Sequence, residues 1–333
     1  MTNNVNSLEL FTGLSFTMAS NSHWKAINYA KLISEAAKYN TYIETIKSPK
    51  LPDPDRMHDR IEGQRITIYH QNFLKITYRQ LEKLKLKNRK AILIVDYTHE
   101  PFYGTTANQW IHGYRPKSGC RGSYSFLSAS IVIDNHRYFI DSIPVGILTD
   151  TVKALEKILD KMEEMLDIEA VLLDRGFASE SVIELLKAKK LQYLILCPKW
   201  SNIRRVVNSL KDNYTRMNFK VGDIDTELIL KYDDRGFWWS FLTNMNLYHF
   251  SKYVTEYRRR WNIETGFRVQ DEGRIKSKST EITVRYFLFL TSMLLYNTWK
   301  FLEGSVHRMQ FKRFVINFWD VVGIETVDPV RYI

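Results

Sequence analysis

The order of helix-like and strand-like segments predicts a mixed α/β protein with a mostly helical N-terminal region. Residues 1–90 show apolar residues at three-to-four spacing, whereas shorter apolar runs and amphipathic segments alternate from residue 91 onwards. The segments AILIVDYT (91–98) and EAVLLD (169–174) each carry a continuous apolar run that leads into an aspartate, which is typical of strands buried on both faces. We therefore expect a mixed sheet flanked by helices.

Two helices are predicted in the N-terminal region. The first, residues 23–46, is separated from the second, residues 69–87, by LPDPDRMHD, whose prolines interrupt the helical spacing. Seven basic residues and one acid lie between Lys75 and Lys90. This surplus indicates either a solvated helix face or a surface that contacts DNA. We expect residues 1–90 to form a unit or lobe of their own.

From residue 91 the pattern predicts three strands, a helix, a strand, a helix, a strand, an insertion, a strand and a long helical tail. The predicted strands are residues 91–98, 126–134, 136–145, 169–174, 192–199 and 237–245. A small β-rich insertion at about residues 200–236 precedes the last strand. The apolar segment 286–299 is short for a membrane span and predicts a buried core helix. These boundaries suggest a domain at 91–302 and a tail at 303–333.

Composition favours a partner that carries negative charge. Lys and Arg outnumber Asp and Glu by 48 to 37, which gives a formal net charge of +11 and suits nucleic acid or an anionic membrane. No basic helix with an exposed apolar face stands out, so a membrane partner is not expected. Cys120 and Cys197 show neither disulfide nor zinc-site spacing. The N-terminus lacks a secretory pattern, so a cytoplasmic location is expected.

Three carboxylates are candidates for a site. Asp96 and Asp174 are predicted to end two buried strands, and Glu264 lies on a later helix. Two strands of one sheet would bring the aspartates together, and buried carboxylates need cations to offset their charge. Oxygen ligands without His or Cys favour Mg²⁺ or Mn²⁺, and a pair of such ions is a known device for phosphodiester chemistry. The alternative for each aspartate is a turn-capping role.

Two other aspartates compete for the second carboxylate position. Asp134 is explained by the predicted hairpin turn, and Asp141 by a mid-strand position whose alternation faces it outward. The segment YRRRWNIETGF carries a further pattern, in which Tyr257, Arg260 and Glu264 share one helix face. In isolation that spacing also fits a solvated salt-bridge face.

The combination of VDYTHEPFYG, VLLDRGFAS and FLTN with YRRRWNIETGF resembles the DDE insertion-sequence transposases. Their RNase H-like core ends in a Y-x2-R-x3-E signature, and the resemblance covers about residues 90–302. It implies an RNase H-like sheet and a DNA transposase that performs Mg²⁺-dependent 3′-end cleavage and strand transfer. It also implies double-stranded DNA partners, namely terminal inverted repeats and target DNA, a homodimer on DNA, and a prokaryotic, nucleoid-associated setting.

The resemblance also assigns roles to the residues that match the signature. Asp96, Asp174 and Glu264 would be catalytic and would hold two Mg²⁺ (or Mn²⁺) ions. Tyr257 and Arg260 would contact DNA phosphates near the scissile bond, where a phenol and a guanidinium can both donate hydrogen bonds. Residues 1–90 would recognise the ends of the element.

The sequence departs from the family pattern at one position. The lysine expected seven residues after the glutamate is Asp271 here, and a carboxylate cannot bind phosphate. We expect that role at Arg268, which lies about 40° from Glu264 around the helix, or at Arg274 or Lys276.

A loop rich in glycine and basic residues adds further candidates. Arg115, Lys117 and Arg121 either approach a DNA backbone or belong to a plain solvated loop. Two rival functions share the same residues: an RNase H-like nuclease without strand transfer, and a catalytically inactive transposase-derived DNA-binding protein.

Overall fold

The structure is a computed structural model that describes residues 7–86, 89–105, 108–134, 136–209, 214–232, 238–302 and 309–324. The side chains of residues 232, 261–264, 323 and 324 lie outside that description. The helices are α1 (Ser7–Ser15), α2 (Ala26–Tyr39), α3 (Pro54–Glu62), α4 (Ile66–Lys83), α5 (Thr151–Glu163), α6 (Glu180–Ala188), α7 (Ser201–Ser209), α8 (Phe250–Asp271), α9 (Ile282–Leu302), α10 (Phe311–Ile316) and α11 (Phe318–Ile324). The strands are β1 (Lys90–Phe102), β2 (Ile111–His112), β3 (Gly122–Ile133), β4 (His136–Val145), β5 (Asp167–Leu173), β6 (Tyr193–Leu196), β7 (Tyr214–Val221), β8 (Ile224–Tyr232) and β9 (Trp238–Thr243).

The strands form one mixed sheet, as predicted. Its order is β2-β3-β1-β5-β6-β9-β8-β7, with β4 paired to β3. Strands β1, β5 and β6 run parallel to one another, and the remaining pairs are antiparallel. The parallel strands need crossover connections, which α5 and α6 lie in position to provide.

Both faces of the sheet are covered. Along β1, Ile92 and Ile94 belong to one buried cluster, shared with α8 and α9. Leu93 and Val95 belong to a second cluster, shared with α5 and α6. Because successive side chains of a strand point to opposite faces, Asp96 falls on the face of Ile94, beneath α8.

The N-terminal helices pack on α9. The ring of Phe287 in α9 contacts Phe11 at 5.1 Å and Tyr69 at 5.2 Å between centroids, and α1, α4 and α9 share one buried cluster with the sheet. Most side chains of α9 are buried, which confirms the core helix predicted at residues 286–299.

No helix in the described ranges is both long enough and apolar enough to cross a membrane.

The predicted insertion is a helix followed by a hairpin that extends the main sheet. After α7, strands β7 and β8 pair with each other, and β8 pairs with β9. Gly222 has a φ of 58° in the hairpin turn, and an added Cβ there would lie 2.0 Å from Glu180 Oε2. The positive φ favours glycine at this turn, and an added Cβ would displace the Glu180 carboxylate, whose Oε1 accepts the Asp223 N–H at 2.9 Å.

The expectation that Asp141 faces outward is wrong. Its side chain is fully buried, and Oδ1 accepts hydrogen bonds from the Ser142 N–H at 2.7 Å and contacts His70 Nε2 at 2.5 Å. Lys161 Nζ of α5 lies 3.9 Å from Oδ2. The alternation of a strand says only which of its two faces a side chain is on. Here α4 and α5 cover both faces of β4, so a side chain on either face is buried.

Candidate active site

Asp96 lies within β1 and not at its end, because β1 continues to Phe102. The parallel pairing of β1 with β5 stops at Val95, whose partner is Leu173, while the antiparallel pairing with β3 continues. Asp96 is therefore the first residue of β1 beyond the end of β5. The position of the site depends on where the neighbouring strand β5 ends, and the sequence could place that end only approximately.

Asp174 lies beside Asp96. It directly follows β5, and since Val95 and Leu173 are register partners, the next residues on the two strands are adjacent on one face. Neighbouring strands are roughly 4.8 Å apart, so the two carboxylates start from neighbouring backbone positions. Although a short 3-10 turn begins at Arg175, the Asp174 side chain makes no capping hydrogen bond to it. The alternative of a turn-capping role is thus not what the geometry shows for Asp174.

Helix α8 contacts both aspartates. Arg260 Nη1 lies 2.7 Å from Asp96 Oδ2, and the Tyr257 hydroxyl donates to Asp174 Oδ1 at 3.4 Å. Asp96 Oδ1 also accepts the Tyr97 N–H at 2.8 Å. The Tyr257 side chain is fully buried and Arg260 is 4% exposed. The order Tyr-x2-Arg along one helix face therefore matches the order in which the helix crosses β5 and β1.

The phenol of Tyr257 stays protonated in this setting. Burial raises its pKa, and the nearby carboxylates of Asp174 and Asp96 raise it further against the opposing effect of Arg260. A protonated phenol can donate a hydrogen bond to the Asp174 carboxylate, but it carries no positive charge with which to neutralise it. Sequence reasoning assigned Tyr257 and Arg260 to DNA phosphates, whereas their described contacts are with the two aspartates.

Glu264 belongs to the same helix, four residues after Arg260, and its backbone lies within α8. Its side chain lies outside the described residues, so its predicted role stays a prediction. Among the described side chains, no group of three His, Cys, Asp or Glu residues is placed to hold a metal ion. Asp96 and Asp174 nevertheless supply the oxygen donors that Mg²⁺ and Mn²⁺ prefer.

The candidates for the missing family lysine occupy different environments. Arg268 is exposed on α8. Arg274 is largely buried, and its Nη2 lies 2.8 Å from Glu100 while Nη1 lies 3.6 Å from Asp271. Lys276 Nζ donates to the Asn40 carbonyl at 2.7 Å. Asp271 thus forms an ion pair with Arg274 three residues later, and its side chain is 53% exposed.

The glycine-rich loop keeps its basic side chains in solvent. Arg115, Lys117 and Arg121 are all exposed, and the loop is anchored where the Arg121 N–H donates to the Phe102 carbonyl at 2.7 Å. Gly119 has a φ of 78°, a conformation that favours glycine. The arrangement suits contact with a DNA backbone, and the role remains a prediction.

One buried acid went unnoticed in the sequence. Glu100 is 4% exposed in β1 and lies 2.8 Å from Arg274 and 3.8 Å from Arg285. The signal was available: it follows Asp96 by four residues, so alternation places both on one face of the strand.

A mixed sheet of this order, with two carboxylates at adjacent strand positions beneath a late helix, is the arrangement of an RNase H-like fold. A family profile described as the transposase DDE domain matches residues 87–297. The chain belongs to this transposase DDE family and is therefore an enzyme of DNA cleavage and strand transfer.

A solved structure shows a similar fold. It is a cryo-EM structure of the piggyBac transposase synaptic complex with hairpin DNA, 13% identical, with a TM-score of 0.59. The match covers 97% of this chain and 79% of that chain. A comparison with curated protein sequences found no match. At this identity the structural likeness concerns the fold, and it confirms the predicted RNase H-like sheet.

Proposed function

We propose that this transposase cleaves the 3′ ends of an insertion sequence and transfers them to target DNA, with Asp96, Asp174 and Glu264 as its catalytic carboxylates. The observation that carries the proposal is the adjacency of Asp96 and Asp174 on the α8 face. Each of them is contacted by a signature residue of that helix. This arrangement is unfavourable for a protein that uses neither carboxylate, because two partly buried negative charges at adjacent positions repel each other.

The three carboxylates would hold two Mg²⁺ or Mn²⁺ ions. When bound, such ions activate the attacking oxygen and stabilise the leaving oxygen of a phosphodiester. In the first step water attacks phosphorus and the bond to the 3′ oxygen breaks. In the second step the freed 3′ hydroxyl attacks a target phosphodiester, so that one phosphorus–oxygen bond forms as another breaks.

Tyr257 and Arg260 would position the two aspartates. The Arg260 guanidinium orients Asp96 through a charge-assisted contact of 2.7 Å, and the Tyr257 phenol orients Asp174. Both residues are buried, which restricts the motion of the carboxylates they contact. Exposed Arg268, together with the loop residues Arg115 and Lys117, is better placed to meet DNA phosphates.

The partners of the site would be double-stranded DNA at terminal inverted repeats and at the target. Two ends must be held together for coupled cleavage and joining, so we propose a homodimer on DNA within a prokaryotic nucleoid. The structure similar to this one is a synaptic complex with hairpin DNA, which supports DNA as a partner of this chain.

The test is metal-dependent cleavage by the wild-type protein and by Glu264→Gln. Each would receive a plasmid that carries the gene's own flanking DNA, in Mg²⁺ and in Ca²⁺. We expect cuts at defined flanking positions that require Mg²⁺ and disappear in the variant, because an amide binds a divalent ion more weakly than a carboxylate does. Joined products would exclude a plain nuclease. DNA binding without any cleavage would instead leave an inactive DNA-binding derivative.

The basic face of α4 is the proposed element of DNA-end recognition. Lys75, Arg79 and Lys83 lie at four-residue spacing and are exposed, so one face of the helix presents three cations. Replacing Lys75 and Arg79 together by glutamine should reduce DNA affinity and lower the slope of log K against log salt by about 2. Binding measured over a range of KCl concentrations would show this. An unchanged slope would mean that this face of α4 is solvated and does not contact DNA.

A further inference from the structure

A small basic cavity lies near the candidate active site. Its volume is about 210 Å³, and it is enclosed by the end of β1, the glycine-rich loop, the segment after α8 and the first turn of α9. Four cations and one carboxylate line it, namely Lys117, Arg274, Lys276, Arg285 and Glu100. The lining is therefore strongly positive, which is unusual for a concave and partly enclosed surface.

The described carboxylates neutralise this charge only in part: besides Glu100, Asp271 lies 3.6 Å from Arg274 Nη1, and its side chain is 53% exposed. Glu100 lies 2.8 Å from Arg274 and 3.8 Å from Arg285, so one carboxylate is shared by two guanidinium groups. Within the described residues, no carboxylate comes within ion-pairing distance of Lys117 or Lys276. Arg274 Nε is buried and has no hydrogen-bond partner in the part of the chain that is described. A buried donor without a partner favours the arrival of an acceptor.

The electrostatic environment of Lys276 agrees with this geometry. Burial lowers its pKa, the neighbouring cations Arg274, Lys117 and Lys312 lower it further, and Asp271 offsets this only in part. An anion in the cavity would relieve the repulsion among these cations and favour the charged form of Lys276.

The segment after α8, which lines one side of the cavity, is attached to the N-terminal region by hydrogen bonds. The Ile43 N–H donates to the Lys276 carbonyl at 2.9 Å, and the Lys276 N–H donates to the Thr41 carbonyl at 3.1 Å. The Ser277 hydroxyl also donates to Glu44 Oε1 at 2.6 Å. A preformed site binds its ligand without paying to order these groups.

We propose that this cavity binds one phosphate group of the DNA backbone, on the strand that the candidate active site cleaves. Asp96 and Glu100 lie on the same face of β1, four residues apart, which is about 13 Å along a strand and corresponds to roughly four base pairs of duplex. The cavity would thus grip the backbone a short distance from the scissile bond. The proposal rests on the proposed function, because it takes the bound strand as the substrate.

The experiment measures binding of a fluorescently labelled duplex carrying the gene's flanking DNA over a range of KCl concentrations. We expect Lys276→Gln and Lys117→Gln each to weaken binding and to lower the slope of log K against log salt by about 1, the share of one phosphate contact. Lys153→Gln is the matched control, since Lys153 is 77% exposed on α5, beneath the other face of the sheet, and its slope should equal that of the wild type.

A pH series distinguishes phosphate binding in the cavity from general electrostatic attraction to DNA. The phosphate binds the charged form of Lys276, so wild-type affinity should fall as pH rises through the lowered pKa of this lysine. The fall should be absent in Lys276→Gln. If both variants keep the wild-type slope while the wild type binds and cleaves DNA, the cavity proposal fails and the proposed function stands. If the wild type never cleaves but both slopes fall, the cavity stands without catalysis.

The remaining alternative is a free phosphate ion. Sodium phosphate would be compared with NaCl at equal ionic strength for its effect on the melting temperature. A rise that is specific to phosphate, lost in Lys276→Gln and accompanied by unchanged DNA slopes, would overturn the assignment to the DNA backbone.

Discussion

Asp96→Asn and Asp174→Asn are both expected to lose cleavage by roughly 10³-fold or more, since a bound metal supplies several kcal/mol of transition-state stabilisation. Their effects on stability should differ. Asp96 receives the buried Arg260 guanidinium at 2.7 Å, so its replacement by a neutral amide should cost about 2 kcal/mol. Asp174 is 33% exposed, and its contacts with Tyr257 at 3.4 Å and with Arg175 at 4.0 Å are both long, so its variant should remain within about 0.5 kcal/mol of the wild type.

Cleavage of the flanking-DNA plasmid in Mg²⁺ and urea unfolding of the same preparations check both parts. Asp225→Asn is a suitable control, because that side chain is 71% exposed and its partner Lys220 is 3.8 Å away; it should change neither quantity. Cleavage by a folded Asp174→Asn protein at the wild-type rate would remove Asp174 from the catalytic set. Equal stability losses in both variants would contradict the described contacts of α8.

Much of the sheet was predictable because its signal is local. The continuous apolar runs of β1 and β5 and the amphipathic pattern of α5 reflect burial that each segment experiences along its own length. The Tyr257–Arg260 spacing is local in the same sense, since it describes one face of one helix. What joined these local patterns into a site was the resemblance to a family, together with the expectation that two strands of one sheet lie side by side.

The features that sequence missed depend on long-range pairing. Nothing in β1 itself reveals that β5 ends beside Val95, so the sequence suggested that β1 stops near Asp96 when it continues to Phe102. The β-rich insertion was predicted, but the pairing of its hairpin with β9 is not visible in either strand alone. The burial of Asp141 likewise depends on α4, which begins some seventy residues earlier in the chain.

The environments of the basic residues near the site also depend on long-range contacts. Arg274 and Lys276 were equivalent in sequence, yet Arg274 is held by Glu100 and Asp271, and Lys276 is held by the N-terminal region. A charge is most available to DNA where the fold leaves it without a carboxylate, as it does for Lys276 within the described part of the chain. Pairing of this kind is decided by residues far away in the chain, and single-sequence patterns cannot show it.

Asn297→Leu is expected to reduce the free energy of unfolding by about 3 kcal/mol, although the residue lies far from the catalytic carboxylates in sequence. Strand β4 has a register irregularity near Phe139, opposite Ala129 and Ser130. The buried Asn297 amide of α9 meets the backbone there: Nδ2 donates to the Phe139 carbonyl at 2.6 Å, and Oδ1 accepts the Phe139 N–H at 2.9 Å. Leucine has the same branching and number of side-chain heavy atoms, although its methyl groups are bulkier, and it leaves both backbone groups buried without partners.

Urea unfolding of the variant measures this cost, with Asn208→Leu on the exposed surface of α7 as the control, which should stay within about 0.5 kcal/mol. The comparison separates the loss of two hydrogen bonds from any general effect of exchanging asparagine for leucine. Because α9 also carries the contacts with α1 and α4, loosening β4 from α9 should weaken the attachment of the N-terminal helices as well. Equal stability of Asn297→Leu and the wild type would mean that water or a shifted backbone satisfies Phe139 instead.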